Sequence, residues 1–129
     1  MSGVATIEGR TLMATLLATQ NMEIGLFTNS SVSSSTLHAD LTEPTGGGYA
    51  RKSLSPANWN VSGDTVTYNT VQSFVASGGG MSGSVKGYFV CTSSAPKKLI
   101  EIVVDSNLGA GITLSTGANY DVTPAIKFI

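Results

Sequence analysis

Ser84-Val85-Lys86-Gly87-Tyr88-Phe89-Val90-Cys91-Thr92 and, close behind it, Lys98-Leu99-Ile100-Glu101-Ile102-Val103-Val104 are the stretches whose reading decides the fold. Both are rich in β-branched and aromatic residues, and both alternate at the period of a strand. The first puts Val85, Phe89 and Cys91 on one face and Lys86, Tyr88 and Val90 on the other. The second points Ile100, Ile102 and Val104 inward and Glu101 outward. Neither suits a helix, and Gly87 would weaken one further.

Working outward, the same texture recurs. Met22 to Thr28 alternates, with Met22, Ile24 and Leu26 on one face. Tyr49 to Leu54 follows the turn Gly46-Gly47-Gly48, and Ser55-Pro56-Ala57-Asn58 breaks the pattern before Trp59. Val61-Ser62-Gly63-Asp64-Thr65 reads as a hairpin turn into Thr65-Val66-Thr67-Tyr68. Val71 to Ala76 ends at Gly78-Gly79-Gly80, and Ile112 to Ser115 and Ala125 to Ile129 complete the set. About eight strands at roughly 8–12-residue spacing predict an all-β, single-domain antiparallel β-sandwich or barrel. Strands and helical segments do not alternate, which argues against a parallel α/β sheet. The apolar end (Ile126, Phe128, Ile129) is expected to be paired in the sheet or buried.

Only the N-terminal region reads as helix. From Thr11 to Gln20, Leu12, Met13, Leu16 and Leu17 form a stripe at helical period, Ala14 and Ala18 suit it, and Thr11 would cap it. Residues 1–20 are therefore expected to be an arm or helix, and residues 21–129 the β-sandwich domain. So short a helix needs a surface to pack on, its own sheet or a neighbouring subunit.

Composition narrows the function. The chain has 129 residues, enough for a core, but only 12% of them are charged, against roughly 25% in an ordinary domain. The formal net charge of -1 gives no footprint for nucleic acid or an anionic membrane. No apolar run approaches the ~20 residues that span a bilayer. The first residues, MSGVATIEGR, lack the pattern of a secretory signal, so synthesis in a cytoplasm is expected. The sequons at Asn29 and Asn60 then read as chance matches. Cys91 stands alone and supports neither a disulfide framework nor a cysteine metal cluster.

Candidate chemistry is sparse. Gly78, Gly80 and Gly83 satisfy G-x-G-x-x-G, but a dinucleotide fingerprint has to open a helix, and the adjoining residues, Ser84 to Thr92, alternate like a strand. His38 and Cys91, the only histidine and thiol, form a remote candidate pair for nucleophilic catalysis. The bland alternative is a buried Cys91 on the face of Phe89, with His38 on a surface loop. Asp40, Glu43, Asp64, Asp105 and Asp121 could bind calcium, yet none lies in an EF-type loop, and Asp105-Ser106-Asn107-Leu108-Gly109 reads as a plain turn. Trp59, Tyr68, Phe74, Tyr88 and Phe89 read as core and cross-strand packing residues, with Trp59 at least half buried. An exposed aromatic platform for carbohydrate is the alternative. No catalytic, cofactor-binding or metal-binding residue is assigned, and no cofactor is implied.

Five segments carry a resemblance: Gly25-Leu26-Phe27-Thr28-Asn29, Leu41-Thr42-Glu43-Pro44, Gly48-Tyr49-Ala50, Trp59, and Gly87-Tyr88-Phe89-Val90. In this order they are similar to small proteins encoded among the virion structural genes of tailed bacteriophages and prophages. The likeness covers roughly residues 20–129. Phe27 stands where that pattern has Tyr, and Leu41 where it has Phe. The resemblance implies a particle component that is not an enzyme, made in the host cytoplasm and located in the virion. Its leading form is a capsid decoration (cement) protein that stabilises the shell between major capsid subunits, as a homo-oligomer, a trimer first. A tail, connector or baseplate component is the alternative within the class, and a carbohydrate-binding β-sandwich the alternative outside it.

Overall fold

The structure, a computed structural model, describes residues 3–129; Met1 and Ser2, the start of the expected arm, lie outside the described residues. Helix α1 spans Ile7–Leu17. Its cap is Thr6, whose Oγ1 accepts the Gly9 N–H at 3.1 Å. Thr11, expected to cap, lies inside the helix and donates back to the Ile7 carbonyl at 2.8 Å. Either threonine satisfies the local capping rule, but the Thr6 start adds a turn and puts Glu8 at the positive end of the helix.

Among the described residues nine strands follow: β1 (Met22–Phe27), β2 (Lys52–Leu54), β3 (Trp59–Ser62), β4 (Thr65–Tyr68), β5 (Gln72–Val75), β6 (Gly87–Thr92), β7 (Leu99–Val104), β8 (Asn119–Val122) and β9 (Ala125–Lys127). They form three antiparallel sheets, ordered β2-β1-β6-β7, β3-β4-β9 and β5-β8. The fold is therefore mostly β, with antiparallel sheets and one helix. The expected all-β sandwich or barrel of about eight strands is corrected: among the described residues the strands fall into several small sheets and close no barrel. Six of the nine strands are only three or four residues long, too short to build two continuous facing sheets. Glycines occur in four of the eight connections between them.

The hairpin of β3 and β4 turns as expected at Gly63-Asp64, pairing Ser62 with Thr65, and Gly63 supplies the positive φ of 59°. Other boundaries moved. Tyr49 to Arg51 is irregular and only Lys52–Leu54 is strand. Ile112 to Ser115 is not a strand; it contributes an isolated bridge, Ile112 to Val85, and a buried Leu114. Strand β8 was not anticipated, since Tyr120 and Val122 alone mark its inner face. Ile126 is buried against Val66, but Ile129 is 97% exposed, because the last main-chain tie is Phe128 N–H to the Asp64 carbonyl.

The main core holds Met22, Ile24 and Leu26 from β1, as the alternation predicts, with Leu54, Trp59, Val66, Tyr68, Phe74, Val85 and Val90. Trp59 is 7% exposed and meets Tyr68 edge to face with ring centres 4.9 Å apart. On the opposite face of β1 and β6 lies a second cluster, Phe27, Phe89 and Cys91, covered by Val32, Leu41, Leu99 and Ile102. The middle strands of the four-stranded sheet are thus buried on both faces, which is why their sequences read as nearly continuous apolar runs. Val85, expected beside Phe89 and Cys91, belongs to the main core instead, since the chain enters β6 only at Gly87. Ile102 pairs with Phe89 and covers the small cluster, while Glu101, expected outward, pairs with Val90 on the main-core side. A bulge between Val90 and Cys91 brings Ile100 to that side as well, and Val104, expected inward, is exposed.

Candidate functional site

The charged groups of the sheet gather around one guanidinium. On β1, Glu23 and Gly25 face the small apolar cluster, opposite Cys91 and Phe89 of β6. A side chain at position 25 would collide there. A Cβ on Gly25 would lie 2.5 Å from Phe89 Cζ and 2.8 Å from Tyr49 Oη. The space so left is filled by the Phe89 ring and the Tyr49 hydroxyl, and Arg51 stacks 5.0 Å above that ring. Arg51 Nη1 donates to Glu23 Oε1 at 2.8 Å. Its Nε and Nη2 clasp the two oxygens of Glu43 at 3.0 and 2.9 Å, the planar fork that suits a carboxylate. Tyr49 Oη donates to Glu43 Oε1 at 2.6 Å and accepts the Leu26 N–H at 2.9 Å. Lys97 donates to Glu23 from the turn before β7.

His38 and Cys91, the remote catalytic pair, both meet this cluster. His38 Nε2 lies 3.0 Å from Arg51 Nη1, and Cys91 Sγ lies 3.5 Å from the same nitrogen. Arginine only donates, so the contact is a hydrogen bond when the imidazole carries its proton on Nδ1. His38 is accordingly not a free loop residue; the short helical turn His38–Asp40 holds it against Arg51. Cys91 is fully buried, as the bland reading expects. Burial pushes its thiol up to about 11, with the Glu23 carboxylate adding to the rise and Arg51 opposing it. A thiol so placed stays protonated at neutral pH and is a weak nucleophile.

The carboxylates are committed too. Burial alone would raise Glu23, but hydrogen bonds from Lys97 and Arg51 outweigh it and hold the group below its ordinary range. Burial opposes ionisation of Glu43 in the same way, and Arg51 and Tyr49 outweigh it. Burial and the bond to Glu43 in turn push the Tyr49 phenol far above its usual range. The arrangement ties β1, the loop through Glu43, the segment before β2 and the Lys97 turn to one cation. Gly25, Glu43, Tyr49 and Phe89, from four of the five segments that carry the resemblance, meet here. Arg51, which organises them, was not singled out from the sequence. Glu23, an acid between Met22 and Ile24 in a chain with so few charges, was the signal that could have pointed to it.

The other candidates are scattered. Asp40 accepts the Leu37 N–H at 2.9 Å, Asp64 pairs with Arg10 at 3.4 Å, and Asp121 bonds Ser73 at 2.5 Å. Asp105 caps its turn through the Asn107 N–H and accepts the Tyr120 hydroxyl at 2.6 Å. Among the described residues no three His, Cys, Asp or Glu side chains are grouped to hold a metal ion. The Gly78–Gly83 segment opens no helix. Trp59, Tyr68, Phe74 and Phe89 are buried and Tyr88 is half-buried, so these aromatics form no exposed platform.

What the surface does display is apolar helix. Ala14 is fully buried and Leu17 and Ala18 pack beside it, so the small residues let α1 lie close on β3 and β4. The rest of the stripe faces solvent: Leu12 is 59% exposed, Leu16 56% and Ile7 55%. Ile7, Glu8, Thr11, Leu12 and Thr15 line an open cleft of about 410 Å³. No described helix is long and apolar enough to cross a membrane. Compared with protein-family models, curated proteins and solved structures, the chain finds no match.

Proposed function

We propose that this chain is a structural assembly module of a bacteriophage virion, in the first instance a capsid decoration protein seated between major capsid subunits. The observation that carries the reading is the outer face of α1. A surface helix normally turns its large apolar residues to the core and its polar ones to solvent. Here Ala14 and Leu17 serve the chain's own core, while Ile7, Leu12 and Leu16 serve nothing within it. Burying a leucine or isoleucine fully contributes about 1.5–3 kcal/mol. A few half-exposed side chains therefore give a few kcal/mol per copy, too little against the cost of association for a lone contact to hold. Repeated over a lattice, or within a closed trimer, the same contact becomes strong because each further copy binds at high effective concentration. The cluster around Arg51 supports the reading in another way, since its acids, thiol and imidazole are tied to one another and act as a staple.

The test uses particles made without the protein. They should assemble yet burst at lower temperature or osmotic stress, and added protein should restore them. Protein carrying Leu12→Ser and Leu16→Ser should fold as wild type and fail to restore. Particles equally robust without the protein but unable to attach or inject would sink the capsid reading and move the chain to the tail.

A further inference from the structure

The four-stranded sheet ends on an open edge. Among the described residues strand β7 pairs only with β6. The Asp105 N–H bonds the Lys86 carbonyl, and the register sets Val103 against Tyr88 and Glu101 against Val90. By the alternation of an antiparallel ladder, Glu101 and Val103 aim their main-chain groups at β6, while Ile102 and Val104 aim theirs outward. Among the described residues neither outward N–H has a main-chain partner. Beside this edge runs a trough of about 490 Å³ between β7 and the 32–36 loop, walled by Val32, Leu99, Ile102 and Val104. It continues past Thr36 and Leu99 into a second hollow of about 430 Å³. Glu101 borders the trough, but its side chain shares the Val90 face of the sheet, opposite Ile102 and Val104, and its Oε1 is buried there without any hydrogen-bond partner.

We infer that the β7 edge is a strand-addition site for an extended segment of another protein, apolar in alternate positions and carrying a lysine or arginine opposite Glu101. Unpaired edge groups supply the ladder, the trough takes the side chains, and the orphaned carboxylate sets the charge of the occupant. Burial pushes the Glu101 carboxyl up to about 7, the signature of a charge with no counterpart in its own chain. A second copy of β7 does not supply one. An antiparallel twofold centred on Ile102 would set Glu101 beside Val103 of the other copy. Centred on Glu101 it would oppose two carboxylates, and centred on Val103 it would oppose Glu101 and Asp105. The site is independent of the α1 face, which packs on the β3-β4-β9 sheet.

Synthetic capped heptapeptides of alternating Thr and Val, with Lys, Gln or Glu at the centre, test this against the purified chain. Fluorescence anisotropy at pH 8 reads affinity, and amide exchange by NMR reads the location. The Lys peptide should bind, protecting the Ile102 and Val104 amides, and the Glu peptide should not. Glu101→Gln removes a poorly solvated charge and so should fold at least as well; it should weaken the Lys peptide by about tenfold or more. Leu12→Ser with Leu16→Ser should leave peptide binding unchanged, so failure at one surface is told apart from failure at the other. Overturning results are no peptide binding, binding that ignores the central residue or Glu101→Gln, or protection of the two amides by concentration-dependent self-association.

Discussion

Replacing Arg51 with methionine isolates what the buried cation does. The Arg51 side chain is 20% exposed, Glu23 15% and Glu43 25%, so the pairs lie between a sealed and a surface ion pair. Breaking a sealed pair costs about 3–5 kcal/mol, whereas exposed pairs are worth about 0–1. Each carboxylate keeps one partner after the change, Lys97 for Glu23 and Tyr49 for Glu43, which places the loss near 2 kcal/mol. Losing the stack over Phe89 adds about 0.5–1 kcal/mol, while the methionine retains the apolar stem contact.

The total, about 2–3 kcal/mol, converts through an unfolding entropy near 2.1 cal/mol/K per residue into a drop in Tm of roughly 7–11 °C. Differential scanning calorimetry at pH 7 reads it. Glu43→Gln and the double variant should show a coupling of about 1 kcal/mol or more with Arg51→Met. Acid adds an independent signature. Glu23 and Glu43 ionise below their ordinary value of 4.5 in the folded chain, so the stability they contribute is present above that value and lost as pH falls through the lower folded values. In the Arg51→Met variant the acid limb of the stability curve should flatten. A variant within 2 °C of wild type, with an unchanged acid limb, would refute the staple.

Gly25→Ala forces a Cβ to 2.5 Å from Phe89 and 2.8 Å from the Tyr49 hydroxyl, and should cost about 1–3 kcal/mol by urea unfolding, with no gain from better helix or strand propensity. Trp59→Ala, at a site only 7% exposed, should cost about 3–5 kcal/mol; a Tm within a degree or two of wild type would remove Trp59 from the core. Glu101 should act in the opposite sense to Glu23. Its folded value of about 7 lies above the ordinary 4.5, so its penalty is absent below 4.5, grows as pH rises from 4.5 to 7 and is fully present above that. The shift bounds the penalty at ~3 kcal/mol, and roughly half of that after solvent screening, so Glu101→Gln should stabilise the chain by about 1–2 kcal/mol at pH 8 and leave it unchanged at pH 4.

How far the sequence told this in advance depended on how local each cause was. The turn at Gly63-Asp64 and the inward set Met22, Ile24 and Leu26 were legible because two neighbouring residues, or one unbroken strand, determine them. The helix was found but started late, since Thr6 and Thr11 both satisfy the capping rule and only packing chooses between them. Ile112 and Leu114 imitate a strand but gain only an isolated bridge to Val85 and a bond from the Met81 N–H, whereas Asn119–Val122 finds a full partner in β5 with half its residues polar. Strand membership is a property of the partner as much as of the segment. Glu101 was read outward because alternation on one strand does not show that both faces of the sheet are covered, by the main core on the Glu101 side and the small cluster on the Ile102 side. The Arg51 cluster was out of reach, for Glu23, His38, Glu43 and Cys91 meet one guanidinium from across the chain, and Lys97 joins them through Glu23.

That cluster also bears on how the two surfaces should behave. The chain has seven basic and eight acidic residues, and Arg10, Glu23, Glu43, Arg51, Asp64 and Lys97 are already paired with one another. The four lysines and five acids left outside those pairs nearly cancel, so little net charge draws a partner from a distance, and the α1 face, apart from Glu8 and two threonines, presents aliphatic carbon. Contact made there loses no ion hydration and gains no Coulomb attraction, so its strength should be nearly indifferent to salt. The β7 edge depends on one carboxylate meeting one cation, and that attraction is screened over a Debye length of about 8 Å at physiological ionic strength. Raising the salt from about 0.05 to about 1 M should therefore weaken the lysine peptide measurably while leaving particle binding through α1 in place. Equal salt sensitivity at both would mean that the two surfaces are not separate, and that the charge of Glu101, rather than the apolar helix, governs association of this chain.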